Sequence, residues 1–376
     1  MNRERFLRNV AAHHVMNRDR RNFLRHAVGA TAGALLLGAS PASSQAPDGR
    51  RQVMIGGRRI KVVDIHSHHF IPEVVDVVRG TPLEAAFKGQ AGNKDRYLGP
   101  SWLQYMDKEG IDVMALNMNP WWYAADRDLS RRICTLQNQK TAEWCARYPD
   151  RFVGMATVAL QHPDLAAEQL EEAVRKQGMR GAPIGGSVEG EELGSPRFDP
   201  FWAKVQELGV PLFMHPQGAP GTTQNNRLEG KGGLGNTIGN PLETTVALSH
   251  MIFEGVFDRF PGLRICAAHA GGYLPSYLGR SEVRCSRASQ GGGECPKKPF
   301  PEYFRREILI DTMIFRHNGL QHLVKEVGVS QLVYGTDFPF DWPVGVDFIL
   351  TAPFLSNADK EAILGGNLVK LLRITT

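Results

Sequence analysis

Residues 62–70 read Val-Val-Asp-Ile-His-Ser-His-His-Phe and put three histidines, His66, His68 and His69, directly after an apolar run. On an extended strand, residues two apart share a face, so His66 and His68 point together with Cα atoms about 6.6 Å apart. Two imidazoles at that spacing can converge on one ion through nitrogen–metal bonds of about 2.0–2.1 Å. His69 faces the other way, toward the surroundings of such a site or toward solvent. Alone, the His-x-His pair is a weak signal, and the rest of the chain has to supply what it lacks.

Three other stretches do so. His215 closes an apolar run in Phe-Met-His-Pro-Gln, His269 closes another in Ala-Ala-His-Ala-Gly-Gly, and Asp337 follows a third in Tyr-Gly-Thr-Asp-Phe-Pro. Together they form a mixed nitrogen and oxygen donor set, which suits zinc, manganese or cobalt.

The elements that must position these residues recur along the chain. Eight short apolar runs lie near residues 60, 113, 152, 179, 210, 263, 307 and 331, each followed by a helical or loop pattern. Leu165, Leu170, Ala173 and Val174 repeat at helical spacing in one of the connecting stretches. Alternation of strand and helix eight times predicts an α/β fold, a (β/α)8 TIM barrel, rather than a doubly wound sheet. Most of the runs end in a polar side chain: His66 and His68, Asn117 and Asn119, His215, His269, Asp311, Asp337. The C-terminal strand ends are where such barrels carry their chemistry. Residues 217–241, rich in Gly and Asn, interrupt the rhythm after the fifth run and read as a lid or substrate loop.

The N-terminus reads as an address. Residues 19–26, Asp-Arg-Arg-Asn-Phe-Leu-Arg-His, precede a mild apolar run and then small residues, the three parts of an export signal. The arginine pair resembles a twin-arginine signal. The expectation is a signal over 1–46, cleaved between Ala39 and Ala46, then a single domain over 47–376 in the periplasm. Met16 is an alternative start. Residues 1–46 hold seven Arg and two acidic residues, so of 44 basic and 39 acidic residues the remainder keeps 37 of each. A formally neutral domain gives no basic patch for nucleic acid. Past residue 50 no apolar run is long enough for a stable membrane anchor. The five cysteines form no Cys-x-x-Cys pair. Export would permit a disulfide between Cys285 and Cys295, while Cys266 lies inside an apolar run and reads as a buried thiol.

Several stretches resemble the amidohydrolase superfamily and, within it, the aminocarboxymuconate-semialdehyde decarboxylase family. They are Asp-Ile-His-Ser-His-His-Phe, Tyr-Met-Asp-Lys-Glu-Gly-Ile-Asp-Val, residues 147–166, Pro-Leu-Phe-Met-His-Pro-Gln, residues 250–275 and Leu-Val-Tyr-Gly-Thr-Asp-Phe-Pro-Phe, spread over residues 62–370. The resemblance implies His66, His68, His215 and Asp337 as metal ligands and His269 as the acid/base residue, acting with Asp337. Binuclear branches carry a carbamylated lysine on strand four, where this chain has Arg180 and no lysine, so one divalent ion is expected. The implied reaction is loss of CO2 from an unsaturated or aromatic carboxylic acid, without an organic cofactor. Hydrolysis of a lactone, ester, amide or ring-opened metabolite is the alternative on the same scaffold. The family's carboxylate-binding arginine points to Lys94 or Arg96, with Arg227 in the long loop as a further candidate. Trp121 and Trp122 are candidates for a stacking wall, and Phe338 and Phe340 raise the same question. The resemblance also implies a homodimer.

Overall fold

A computed structural model describes residues 49–375 except 219–226, 291–294 and 344. The export signal expected over 1–46 and part of the 217–241 segment lie outside the described residues. The eight apolar runs are strands: β1 Val63–Asp64, β2 Val113–Leu116, β3 Phe152–Gly154, β4 Ala182–Ile184, β5 Leu212–Met214, β6 Ile265–Ala267, β7 Ile308–Asp311 and β8 Leu332–Val333. All of their residues are buried except Val153, as expected for parallel strands covered on both faces. A helix follows each: α1 Pro100–Glu109, α2 Arg127–Arg147, α3 Pro163–Gln177, α4 Asp199–Leu208, α5 Asn240–Phe253, α6 Leu278–Gln290, α7 His317–Val327 and α8 Asn367–Leu371.

The α/β architecture is carried by two parallel sheets. One has the order β1-β2-β3 and the other β8-β7-β6-β5-β4. Backbone hydrogen bonds cross both gaps between them. Ala156 N–H donates to Gly181 at 2.7 Å and Arg180 N–H to Gly154 at 2.9 Å on one side. On the other, Ile65 N–H donates to Tyr334 at 3.1 Å and His68 N–H to Phe338 at 2.8 Å.

Local chemistry explains the helix boundaries. α3 starts with Pro163 in its first turn, where the missing N–H costs nothing, and buries Leu165, Ala166, Gln169, Leu170 and Ala173 along one stripe. α1 ends at Gly110, whose φ of 79° is left-handed and whose missing Cβ would stand 2.8 Å from Val53. Two apolar clusters result. A large one fills the space between strands and helices. A smaller one joins Val63, Val113, Phe213, Cys266, Leu309 and Val333 from six strands, with Leu368 and Leu372 at the C-terminal helix packed on it. Cys266 is thus the buried thiol its surroundings suggested, and Cys285 and Cys295 are joined as a disulfide.

Candidate metal centre

Five of the polar strand ends face one place. His66 and His68 follow β1, His215 follows β5, His269 lies two residues past β6, and Asp337 lies four past β8. His66, His215 and His269 with Asp337 offer donor atoms all within 4.8 Å of one another. His68 belongs to the same cluster, its Nε2 3.1 Å from His66 Nε2 and 2.8 Å from Asp337 Oδ1. His66 Nε2 is 3.1 Å from the same oxygen. Five side chains converge, where a minimal site needs four.

The hydrogen bonds around the cluster decide which atoms are left bare. His66 Nδ1 lies 2.6 Å from Asp311 Oδ2, and His215 Nδ1 2.8 Å from the Pro216 carbonyl. Each ring therefore directs Nδ1 outward to an acceptor and turns Nε2 inward, where an ion would displace any proton it carries. Asp337 Oδ1 has no donor, although it is buried. Lone pairs about 3 Å apart repel unless a cation sits among them, and atoms bonded at about 2.1 Å to a shared ion stand about that far apart. The donor set and its bare atoms fit a divalent ion. The same crowding shows in the titration of the rings. Burial pushes His66 down, but Asp337 and Asp311 outweigh it and raise it to about 10, so a proton occupies the cluster when no metal does. Burial pushes His68 down to about 4 and His215 well below its usual value. Asp337 is held well below the carboxylate range by His66 and its neighbours, against the opposing effect of burial.

The backbone is bent to reach this geometry. His269 has φ 54°, Ala270 φ 59° and Asp337 φ 58°, left-handed values that cost on the order of 1–3 kcal/mol each. Asp311 compensates at one of the bends, accepting the His269 N–H at 3.1 Å and the Ala270 N–H at 2.8 Å. Gly335 lets β8 pass between the two partners: a Cβ there would lie 2.8 Å from His66 Cβ and 3.1 Å from Asp311 Cβ. Asp64 braces the approach from behind, accepting the Thr336 hydroxyl at 2.5 Å and the His66 N–H at 2.9 Å.

Of the predicted substrate contacts, Arg96 is the one built into the site. Its guanidinium is buried, bonded to the Gln90 side chain, and sits 5.3 Å from the Trp121 ring centre and 5.0 Å from that of Phe340. Phe340 in turn lies 5.5 Å from the His68 ring. Arg96 Nε has no partner, and among the described residues no carboxylate forms a salt bridge with it. Burial lowers it to about 10, so it stays charged. A buried, unpaired cation is costly, which marks it as a place for an anion. Lys94 is exposed, and so is Arg227. Trp121 backs Arg96, but Trp122 is fully buried and donates to the Val158 carbonyl at 2.9 Å, so it packs beneath the loop. Phe338 also packs, stacked on Tyr105 at 4.1 Å. Arg180, the residue at the strand-four position, is exposed.

His69 is buried, not solvent-facing: Nδ1 lies 2.8 Å from the Asn117 carbonyl and Nε2 2.9 Å from the Thr141 hydroxyl. It ties β1 to β2 and α2 as a neutral ring, pushed by burial down to about 4 from an ordinary 6.5. A His depressed in the fold takes up protons more readily when unfolded, so its contribution is complete above about 6.5 and is lost as pH falls toward about 4. His69→Gln keeps a donor and an acceptor but does not titrate. Urea unfolding of the metal-free variant is expected to lose less stability between pH 6.5 and 4 than the parent, by up to about 3 kcal/mol. Parallel pH curves would show that His69 is not held neutral. Sequence inspection missed two further partners: Asp311 stood out as a strand end but not as the anchor of His66, and Trp342, which donates to Asp337 Oδ2 at 2.8 Å, gave no signal.

An α/β scaffold of parallel strands that gathers four histidines and an aspartate at its strand ends defines a metal-dependent enzyme. Residues 63–374 match the Amidohydrolase family, and the chain belongs to it. The gamma-resorcylate decarboxylase of Rhodococcus jostii is 32% identical over 286 residues, covering 72% of this chain and 86% of the relative. The 2-amino-3-carboxymuconate-6-semialdehyde decarboxylase of Dictyostelium discoideum is 28% identical over 277 residues, covering 72% and 75%. A crystal structure of the dihydroxybenzoic acid decarboxylase of Polaromonas sp. JS666, with bound manganese and the inhibitor 2-nitroresorcinol, superimposes with a TM-score of 0.71 at 25% identity, covering 84% of this chain and 97% of that one. The chain is an enzyme of the carboxy-lyase kind.

Proposed function

We propose that this enzyme removes CO2 from a hydroxylated aromatic or muconate-type carboxylic acid, using one divalent ion on a (β/α)8 barrel. The observation that carries the reading is the buried, unpaired Arg96 beside the convergent His66, His68, His215, His269 and Asp337. The hydrogen bonds across both gaps between the sheets support the barrel, and the decarboxylase relatives support the reaction.

Each residue then has a task. His66, His68, His215 and Asp337 would hold the ion, zinc or manganese. Such an ion polarises a ligand oxygen. Arg96 binds an oxygen anion of the substrate, and Phe340 and Trp121 confine its plane. His269, with 15% of its side chain exposed, can refill its proton from solvent. It gives that proton to the ring carbon bearing the carboxylate. The carbon–carboxylate bond then breaks, its electron pair returns to the ring, and CO2 leaves.

The test is CO2 release by the metal-loaded protein from hydroxybenzoate-type and muconate-type acids. Release from one class is expected, with His269→Ala at least about 100-fold slower, within the range for a lost proton donor. Tight metal binding with no CO2 from either class, and turnover of lactones or amides, would replace the reading with a hydrolase.

We further propose export by the twin-arginine route and a homodimer. The Cys285–Cys295 disulfide supports an oxidising compartment. Cell fractionation and light scattering are the respective measurements.

A further inference from the structure

We infer that Trp342 is a positioning residue that restricts Asp337 to binding metal through a single oxygen. The inference rests on the proposed metal role of Asp337 and adds a residue to it. The two oxygens of this carboxylate have different surroundings. Oδ1 lies 2.8 Å from His68 Nε2 and 3.1 Å from His66 Nε2, in the middle of the bare donor atoms. Oδ2 accepts the indole N–H of Trp342 at 2.8 Å, and its other near neighbour is His269 Nε2 at 3.9 Å.

The turn after β8 makes this possible. Asp337 with φ 58° and Asp341 with φ 55° fold the segment back, and Phe340 N–H donates to the Asp337 carbonyl at 3.0 Å, so Trp342 returns over the carboxylate. The indole is propped by Phe315, with ring centres 5.4 Å apart. The choice of donor matters. An indole N–H carries no charge, cannot titrate and has no lone pair for a metal. It holds Oδ2 without repelling a cation or competing for it, as Lys, Arg or His would.

Cobalt(II) reports the arrangement, because its visible absorption weakens as coordination number rises. Two variants are compared with the parent: Trp342→Phe, and Trp342 replaced by 3-benzothienylalanine, which keeps the ring shape and puts sulfur in place of N–H. Both are expected to bind cobalt about 10–100-fold more weakly, the usual cost of losing a group that orients a ligand. Both are also expected to show a weaker visible band as the second oxygen swings onto the ion. The benzothienyl variant separates the hydrogen bond from packing. Parent-like affinity and spectrum in that variant overturn the inference and leave the metal site standing. A parent protein that takes up no cobalt overturns the metal reading and this inference with it.

Discussion

Asp337→Asn abolishes CO2 release and metal uptake together. Asp337 Oδ1 is buried, has no hydrogen-bond donor and lies 2.8–3.1 Å from two ring nitrogens. An amide has one oxygen. If its NH2 takes the Oδ1 position, it donates to His66 or His68 Nε2 and fills the place of the ion. If it takes the Oδ2 position, it meets the Trp342 N–H, and donor faces donor. In both cases the site loses its negative charge in a buried setting where that charge counts most. Activity should fall at least about 1,000-fold, equivalent to about 4 kcal/mol. The fold should survive, because Asn tolerates the φ of 58° at this position as well as Asp does. Bound metal measured by atomic absorption and CO2 measured by release should drop in parallel. Turnover retained in this variant would refute the assignment of the site.

Asp311→Asn is expected to cost stability as well as metal. Asp311 is fully buried and receives four N–H groups: His66 Nδ1 and the His269 backbone on Oδ2, and the Ala270 and Met313 backbones on Oδ1. Burial raises its pKa, but His66 and the other donors outweigh that and hold it below the usual value. Whichever oxygen becomes NH2, two buried N–H groups lose their acceptor, at about 1–3 kcal/mol each. Two of the four bonds also hold the left-handed backbone at His269 and Ala270. If the NH2 faces His66, that ring must accept at Nδ1 and carry its proton on Nε2, the atom the metal needs. Thermal unfolding of the metal-free variant should shift down by several degrees, and cobalt affinity should fall about 10–100-fold. An unchanged melting temperature would show that the two lost bonds are replaced by water.

These two residues mark how far inspection of the chain reaches. Asp337 was recognisable because its run, Leu-Val-Tyr-Gly-Thr-Asp, ends an apolar stretch in a ligand type, and both features are local. The role of Asp311 was not, because its partner His66 is 245 residues away and the contact depends on β8 lying between β7 and β1. The sequence offered Lys94 or Arg96, with Arg227 as a further candidate; burial separates them, since only Arg96 is inside. Trp121 and Trp122 are neighbours in sequence but not in role: one backs Arg96 and the other bonds to Val158 in the core.

Local pattern by itself determined the α/β class, the eight strands and the candidate histidines at their ends, because apolar periodicity and donor chemistry are properties of short segments. The tertiary structure alone decided which ring nitrogens are bare, which cation is buried and which indole reaches Asp337. Those depend on distances between strand ends that are far apart in the chain, and such distances are set by sheet pairing and by the left-handed turns at His269 and Asp337.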